Sequence, residues 1–150
     1  MKDCDIVIDS LFGTGLTRPV SGLYEQAINK INQAGKFVTA VDIPSGVDSD
    51  TGQLIGSCVR ANLTFALTLL KRSHLLYPAA EIMGELETID IKIPQEAVDS
   101  QSIKTQLTEE ADLRYWLPKR SANSHKGKYG HVLVIAGSRG KGGAAGLTAL

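Results

Sequence analysis

Two aspartates stand at the ends of apolar segments, where a buried strand gains nothing from a carboxylate. Asp9 closes the segment 5–9, and Asp42 lies one residue before the end of the segment 36–43. In open α/β sheets, ligands bind beyond the carboxyl ends of the parallel strands. We therefore predict that Asp9 and Asp42 both face a ligand site at that edge of the sheet. The alternative is that each carboxylate only accepts backbone hydrogen bonds in a tight turn; two such aspartates on neighbouring strands favour the site.

The loops that follow these aspartates carry groups that bind anions and hard cations. Gly13 and Gly15 follow the first aspartate and let backbone N–H groups approach a ligand phosphate closely, and Arg18 adds a full positive charge. Ser45 follows the second aspartate and has backbone carbonyls near it. Carboxylate, hydroxyl and carbonyl oxygens together suit a hard cation rather than zinc or copper.

Three other motifs are weaker. Residues 12–16 lack the third glycine of the dinucleotide-binding fingerprint, and residues 137–146 lack the Lys-Ser or Lys-Thr pair of a P-loop. Residues 48–52 resemble a calcium loop only superficially, because their glycine comes one place early. We interpret 48–52 as a turn.

The cysteines and histidines do not form a cluster in the sequence. Cys4 and Cys58 lack the spacing of metal ligands and indicate reduced thiols in a cytosolic protein. We interpret His74 and His131 as ordinary, partly buried residues. His125 lies in a basic run that either contacts phosphate or belongs to a solvated linker.

The order of apolar segments predicts an α/β fold with a parallel sheet. A strand over about 5–9, a helix over 21–34 and a strand over 36–43 form a βαβ unit, whose strands we expect to be parallel and covered on both faces. Residues 62–70 form a third apolar strand. Residues 84–93 alternate apolar and polar side chains, which predicts a half-exposed strand at the edge of the sheet.

The character of the chain changes after residue 94. The following stretch is polar and linker-like, with a short helix capped by Thr108. A new buried strand is predicted over 131–136, and a helix begins at 144 after a glycine-rich turn. A single strand and part of a helix cannot bury their own faces, so we expect a piece of a longer protein. The predicted parts are 1–94, 95–124 and 125–150.

The composition limits the classes of partner. The chain has 150 residues, of which 43% are hydrophobic, enough for one core. Its 16 basic and 16 acidic side chains cancel, which gives no reason to expect nucleic acid or an anionic membrane as partner. No apolar run approaches the roughly 20 residues of a membrane span, and no signal peptide is apparent. We therefore expect a cytoplasmic protein.

Several motifs resemble a known family. The segments DSLFGTGLTRPVSGLYEQAI, AVDIPSGVDSDTG and GELETIDIKIP are similar to the later half of an NAD(P)H-hydrate epimerase domain. The segment SHKGKYGHVLVIAGSRGKGGAAGLTAL is similar to the start of an ADP- or ATP-dependent NAD(P)H-hydrate dehydratase domain. This order is that of the bifunctional NAD(P)H-hydrate repair enzymes. The resemblance implies a Rossmann-like epimerase domain followed by the first strand and helix of a ribokinase-like domain.

The resemblance also implies substrates, cofactors and roles for residues. The substrates are NADH or NADPH hydrated on the nicotinamide ring; an isomerase reaction interconverts their epimers, and a nucleotide-dependent lyase reaction removes the water. Asp9 and Ser45 match potassium ligands, and Asp42 matches a substrate contact. The loop that holds the hydrated dinucleotide matches Gly13, Thr14, Gly15, Leu16, Thr17, Arg18 and Pro19. An acid/base group must help the hydroxyl leave and return, or open and close the ring. Asp42 is the first candidate and Asp9 the alternative.

The chain also departs from the family pattern. The family's Asn-Asn-Gly-Gly-type loop, which supplies another potassium ligand, and the dehydratase's nucleotide site with its catalytic aspartate are not found in these 150 residues. We therefore expect this chain alone to perform the epimerisation poorly or not at all, and the dehydration not at all. A homo-oligomer is expected for the full-length protein. The alternatives are a non-catalytic Rossmann-like module that binds a nucleotide or a protein, and a small-molecule kinase of the ribokinase type.

Overall fold

The chain folds into two units, Met1–Ser102 and Ile103–Leu150. The computed structural model describes residues 4–117 and 119–150. The start of the chain, where no signal peptide was predicted, and Pro118 of the predicted linker lie outside these residues.

The first unit is built on a parallel sheet of four strands in the order β1-β2-β3-β4. Its elements are β1 Ile6–Asp9, α1 Gly22–Gln33, β2 Phe37–Val41, β3 Leu63–Leu67, β4 Glu85–Ile89 and α2 Gln95–Asp99. The predicted βαβ unit, the third strand and the edge position of the fourth strand are confirmed. The architecture is consistent with a Rossmann-like fold.

One face of the sheet is covered by α1. Ile28 and Ile31 lie on the same side of this helix, are 0% and 7% exposed, and pack with Val38 of β2. Each buried isoleucine contributes about 1.5–3 kcal/mol of hydrophobic stabilisation. The helix is followed by Gly35, whose φ of +60° lets the chain reverse towards β2 without strain.

The expectation that β1 is covered on both faces is wrong. Ile6 and Ile8 are 57% and 68% exposed, while Val7 packs against the core on the α1 side. The reason is geometric, because alternate residues of a strand face opposite sides of the sheet and α1 covers only one side. Within the described ranges β1 is also one of the two edge strands of the sheet.

The segment between β3 and β4 forms two short 3-10 turns, Arg72–His74 and Ala79–Ile82, instead of a long helix. The second turn adds to a separate apolar cluster formed by Val47, Ala79, Ile82 and Met83. Val47 also bridges Leu54 in antiparallel fashion, so the short hairpin expected in the loop after β2 is present as a single bridge.

The second unit contains α3 Glu110–Trp116, a 3-10 turn at Lys126–Lys128 and α4 Gly143–Ala149. Thr108 does not cap α3 as predicted. Glu109, in an extended conformation, occupies the N-cap position, and its backbone N–H donates to Asp112 Oδ2 at 2.9 Å.

The buried strand predicted over 131–136 is not formed. Val132, Leu133 and Ile135 are 83–88% exposed, and no described strand pairs with this segment. An apolar run becomes a strand only where neighbouring backbone satisfies its N–H and C=O groups. The helix expected shortly afterwards is confirmed as α4.

Across residues 4–117 and 119–150, no helix combines the length and apolar character needed to cross a membrane.

Candidate active site at the carboxyl edge of the sheet

Asp9, the last residue of β1, and Ser45, in the loop after β2, form a buried pair. The Ser45 hydroxyl donates to Asp9 Oδ1 at 2.7 Å, and the Ser45 backbone N–H donates to Asp9 Oδ2 at 2.7 Å. A third, longer bond comes from the Leu11 N–H to Oδ1 at 3.3 Å. Both paired residues are 1% exposed. The two residues that the resemblance assigns to one cation are therefore in direct contact.

Ser45 also connects the two loops that follow the strands. Its Oγ accepts a hydrogen bond from the Phe12 N–H at 2.9 Å and lies 3.4 Å from the Phe12 carbonyl oxygen. The single hydroxyl hydrogen goes to Asp9, because that acceptor is both closer and charged. The first loop is thus held in place by the second.

The loop after β2 reaches this position only because residue 46 is glycine. Gly46 has a φ of +101°, and a Cβ atom there would lie 2.4 Å from the Ser57 carbonyl oxygen and 2.7 Å from Cys58 Sγ. Two segments of backbone therefore touch directly beneath Ser45, and no larger residue fits.

The buried charge on Asp9 has no cationic partner among the side chains that the structure describes. The ion pairs found there are Lys71–Asp42, Lys92–Asp90 and Arg114–Glu110. A buried carboxylate is costly unless it is paired or hydrogen-bonded, and Asp9 has three hydrogen bonds and no counter-charge. The nearby oxygens of Ser45 and Phe12 suit a hard cation. Within the same residues, no group of three His, Cys, Asp or Glu side chains could hold a metal.

A cavity of about 410 Å³, in the size range of small-molecule sites, opens in the loop after β1. Phe12, which lines it, is bonded through its N–H to Ser45 Oγ. Its lining residues are Leu11, Phe12, Gly13, Gly15, Leu16, Thr17 and Arg18. Five residues of the predicted dinucleotide loop therefore line one cavity, whereas Thr14 and Pro19 do not. A Cβ atom at Gly13 or Gly15 would meet nothing within 4 Å, so open space lies next to the backbone there.

Asp42 bonds to β3 and to Lys71. Its φ of +69° places it in the left-handed region, and its N–H donates to the Phe65 carbonyl oxygen of β3 at 2.8 Å. Its Oδ1 accepts the Leu67 N–H at 3.0 Å and forms an ion pair with Lys71. Both aspartates lie at the carboxyl edge of adjacent strands, but no hydrogen bond between described residues joins them.

The interpretation of residues 48–52 as a turn is confirmed. Asp48 Oδ1 accepts the backbone N–H groups of Asp50 and Thr51 at 2.9 and 2.8 Å. The bonds from Thr51, followed by the Asp50 backbone bond, lower the pKa of the Asp48 carboxyl below its ordinary value. Asp48 Oδ1 is therefore used within its own turn.

Comparison with known proteins finds a match for this part of the chain. Residues 1–73 match the protein family described as YjeF-related protein N-terminus. We call residues 1–73 the YjeF-related segment. The YjeF-related segment contains Asp9, Asp42, Ser45 and the whole cavity-lining loop.

The chain as a whole is similar to proteins named bifunctional NAD(P)H-hydrate repair enzyme. It is 44% identical to one from Thermofilum pendens over 90% of this chain and 25% of the relative. It is 43% identical to one from Moorella thermoacetica, over 97% of this chain and 27% of the relative. It is 34% identical to one from Leishmania braziliensis, over 95% of this chain and 26% of the relative. The chain therefore spans about a quarter of the length of these curated relatives, and the resemblance seen in the sequence is confirmed.

Sequence reasoning missed two residues at the edge of the YjeF-related segment. Lys71 lies within it and pairs with Asp42, while His74 lies one residue beyond it. His74 is only 3% exposed, and its Nε2 lies 2.6 Å from the Asp42 carbonyl oxygen. The available signal was the Lys-x-x-His spacing directly after the third strand, whose carboxyl end lies beside that of β2.

Burial lowers the pKa of His74 below its ordinary value of 6.5. The hydrogen bond to the Asp42 carbonyl opposes this shift, and the Lys71 charge adds to it. His74 is therefore neutral at pH 7.

Proposed function

We propose that this chain is part of an enzyme that repairs hydrated nicotinamide cofactors, and that its sheet edge interconverts the (R)- and (S)-epimers of NAD(P)H-hydrate. One observation carries the proposal: the buried Asp9–Ser45 pair and the cavity lined by the loop that follows Asp9 both lie in the YjeF-related segment. The relatives' names state the substrate. They also make a non-catalytic binding module the less favoured alternative.

The cavity-lining loop supports binding of the substrate's pyrophosphate. Gly13 and Gly15 leave space for a ligand against the backbone. The Arg18 guanidinium forms no ion pair among the described side chains and is available for a bidentate contact with phosphate oxygens. In this proposal, the loop from Gly13 to Pro19 holds the dinucleotide and leaves the hydrated ring near the ends of β1 and β2.

The Asp9–Ser45 pair supports a potassium site. These two side chains, with the Phe12 carbonyl nearby, would hold the ion. Asp9 supplies one negative charge, which fits a monovalent cation, and that charge has no other counter-ion among the described residues. A bound potassium ion would supply fixed positive charge beside the substrate and no redox chemistry.

Asp42 is the better of the two candidates for acid/base chemistry. Its side chain is 16% exposed, and among the described residues no hydrogen bond reaches Oδ2. Asp9, in contrast, is 1% exposed and uses both carboxylate oxygens as acceptors. Asp42 Oδ2 would exchange a proton with the substrate, either as the hydroxyl leaves and returns or as the ring opens and closes.

The test is the Asp42→Asn variant of the complete protein, assayed by chromatographic separation of the two epimers. Loss of a general acid/base should lower kcat about 100-fold or more. Asp90→Asn is the matched control, because Asp90 is a 61% exposed carboxylate paired with Lys92. Equal rates for the two variants, at equal thermal stability, would reject the role of Asp42. A complete wild-type protein that binds the substrate without turnover would support the binding module instead.

The second activity is proposed on the same relatives. The complete protein would couple epimerisation to ADP- or ATP-dependent dehydration, with residues 125–150 as the start of a ribokinase-like dehydratase domain and 95–124 as the linker after the epimerase part, 1–94. We also propose a cytoplasmic homo-oligomer. Recovery of NADH from its hydrate, measured at 340 nm with and without ADP or ATP, tests the coupling; no nucleotide dependence would reject it.

A further inference from the structure

We propose that Lys71 and His74 form a clamp on Asp42, with Lys71 acting on the carboxylate and His74 on the backbone carbonyl, and that this clamp positions Asp42 for proton transfer. The inference rests on the proposed function, because it gives both residues a part in the same reaction. Like Asp42 itself, neither residue is among those that line the cavity. They are positioning residues, since they act through Asp42 and not on the substrate.

Lys71 fixes one oxygen of the Asp42 carboxylate. Its Nζ donates to Oδ1 and also to the Leu67 carbonyl oxygen at 3.0 Å. The Leu67 N–H donates to the same Oδ1 at 3.0 Å. Two donors on one oxygen prevent rotation of the carboxylate and leave Oδ2 as the oxygen for a ligand.

His74 holds the Asp42 backbone in an unusual conformation. A non-glycine residue at φ +69° costs about 1–3 kcal/mol and persists only where its surroundings hold it. Here the Asp42 N–H donates to Phe65, and its carbonyl oxygen contacts His74 Nε2 at 2.6 Å. Relaxation of this residue to an ordinary β conformation would turn the carboxylate away from Lys71.

The two clamp residues are also joined to each other, which sets the histidine tautomer. The Lys71 backbone N–H donates to His74 Nδ1 at 3.0 Å, so Nδ1 is an acceptor. The ring proton of the neutral imidazole therefore sits on Nε2, which donates it to the Asp42 carbonyl oxygen. One 3-10 turn thus delivers an ammonium group and an N–H donor to the same aspartate.

The clamp predicts an effect on turnover that passes through Asp42. In the complete protein, Lys71→Met should lower kcat about 10- to 100-fold, the usual effect of one hydrogen bond to a charged group, and change KM less than about threefold. Lys71→Arg keeps a cationic donor and should retain more activity than Lys71→Met. His74→Gln keeps an N–H donor near the position of Nε2 and should be more active than His74→Leu. Lys92→Met, which removes an 86% exposed lysine, is the control and should behave as wild type.

A double-mutant cycle separates positioning from direct contact with substrate. In an Asp42→Asn background, Lys71→Met should cause less than about a twofold further loss, because its target is already gone. A loss as large as in the wild-type background would show that Lys71 acts independently and would overturn the inference. The inference would also be overturned if the folded Lys71→Met variant kept the wild-type kcat while the Asp42→Asn variant was inactive. If the wild-type protein does not interconvert the epimers, the proposed function fails first and the clamp's role fails with it.

Discussion

Removal of the Ser45 hydroxyl should loosen both loops of the site at once. Ser45→Ala deletes the hydrogen bond to Asp9 Oδ1 at 2.7 Å and the acceptor of the Phe12 N–H at 2.9 Å. A hydrogen bond to a charged group contributes about 1.5–3 kcal/mol, and an unpartnered backbone N–H costs about 1 kcal/mol more. The sum is about 2.5–4 kcal/mol. At 1.4 kcal/mol per factor of ten, the local opening equilibrium rises about 60- to 700-fold.

Hydrogen exchange of the complete protein, followed by mass spectrometry, measures this directly. Peptides that cover 6–16 and 41–48 should exchange faster in Ser45→Ala by that factor, while peptides from α1 stay unchanged. Ser49→Ala is the matched control, because the Ser49 hydroxyl makes only a 3.4 Å bond to the Thr14 carbonyl oxygen in the same region. Less than a threefold change in both loop peptides of Ser45→Ala would refute the reasoning that this hydroxyl joins them.

Three further predictions concern stability and association. Because burial lowers the pKa of His74, the native state binds fewer protons than the unfolded chain below pH 6.5, and the free energy of unfolding should decrease as the pH is lowered through this range. The urea midpoints at pH 7.5 and pH 5.5 should therefore differ more for the wild type than for His74→Gln. Gly46→Ala should lower the free energy of unfolding by about 2–4 kcal/mol in urea titrations, whereas Gly13→Ala, whose Cβ meets nothing, should change it by less than about 1 kcal/mol. Ile8→Lys places a charge on the exposed face of β1 and should reduce self-association of the 150-residue chain, measured by light scattering; unchanged scattering would exclude this face as the cause.

The elements of the first unit could be predicted because its apolar runs are long and their turn signals are clear. β1, β2 and β3 fall within the predicted segments, and the alternation over 84–93 correctly placed β4 at an edge. What the pattern could not give is which face of β1 is covered. That depends on which side of the sheet the crossover helix packs against, and an apolar run carries no record of it.

Part of the candidate site could also be predicted from the sequence, and part could not. The proximity of Asp9 and Ser45 could be predicted, because one ends a parallel strand and the other follows the neighbouring strand. The register of β1 on β2 then places the two residues at the same edge of the sheet. The direction of the Asp42 side chain could not be predicted from the sequence, because a single φ angle of +69° turns it towards β3 and Lys71. Long-range partners of that kind depend on conformation at a single residue, which composition and periodicity do not encode.

The failure over 131–136 has another cause. The run HVLVIA has the composition of a central strand, and in the structure its side chains remain exposed. Strand propensity reflects packing against neighbours more than a preference of the backbone itself. A correct local pattern therefore gives no strand where no partner is available.

The Ser45 hydroxyl has one hydrogen to give and two acceptors within reach, Asp9 at 2.7 Å and the Phe12 carbonyl oxygen at 3.4 Å. Rotation about the Cβ–Oγ bond would move this hydrogen from the end of β1 to the loop that lines the cavity. Asp9 Oδ1 would then keep only the longer bond from the Leu11 N–H. The orientation of one hydroxyl would therefore decide whether this oxygen is available to a cation in the proposed site.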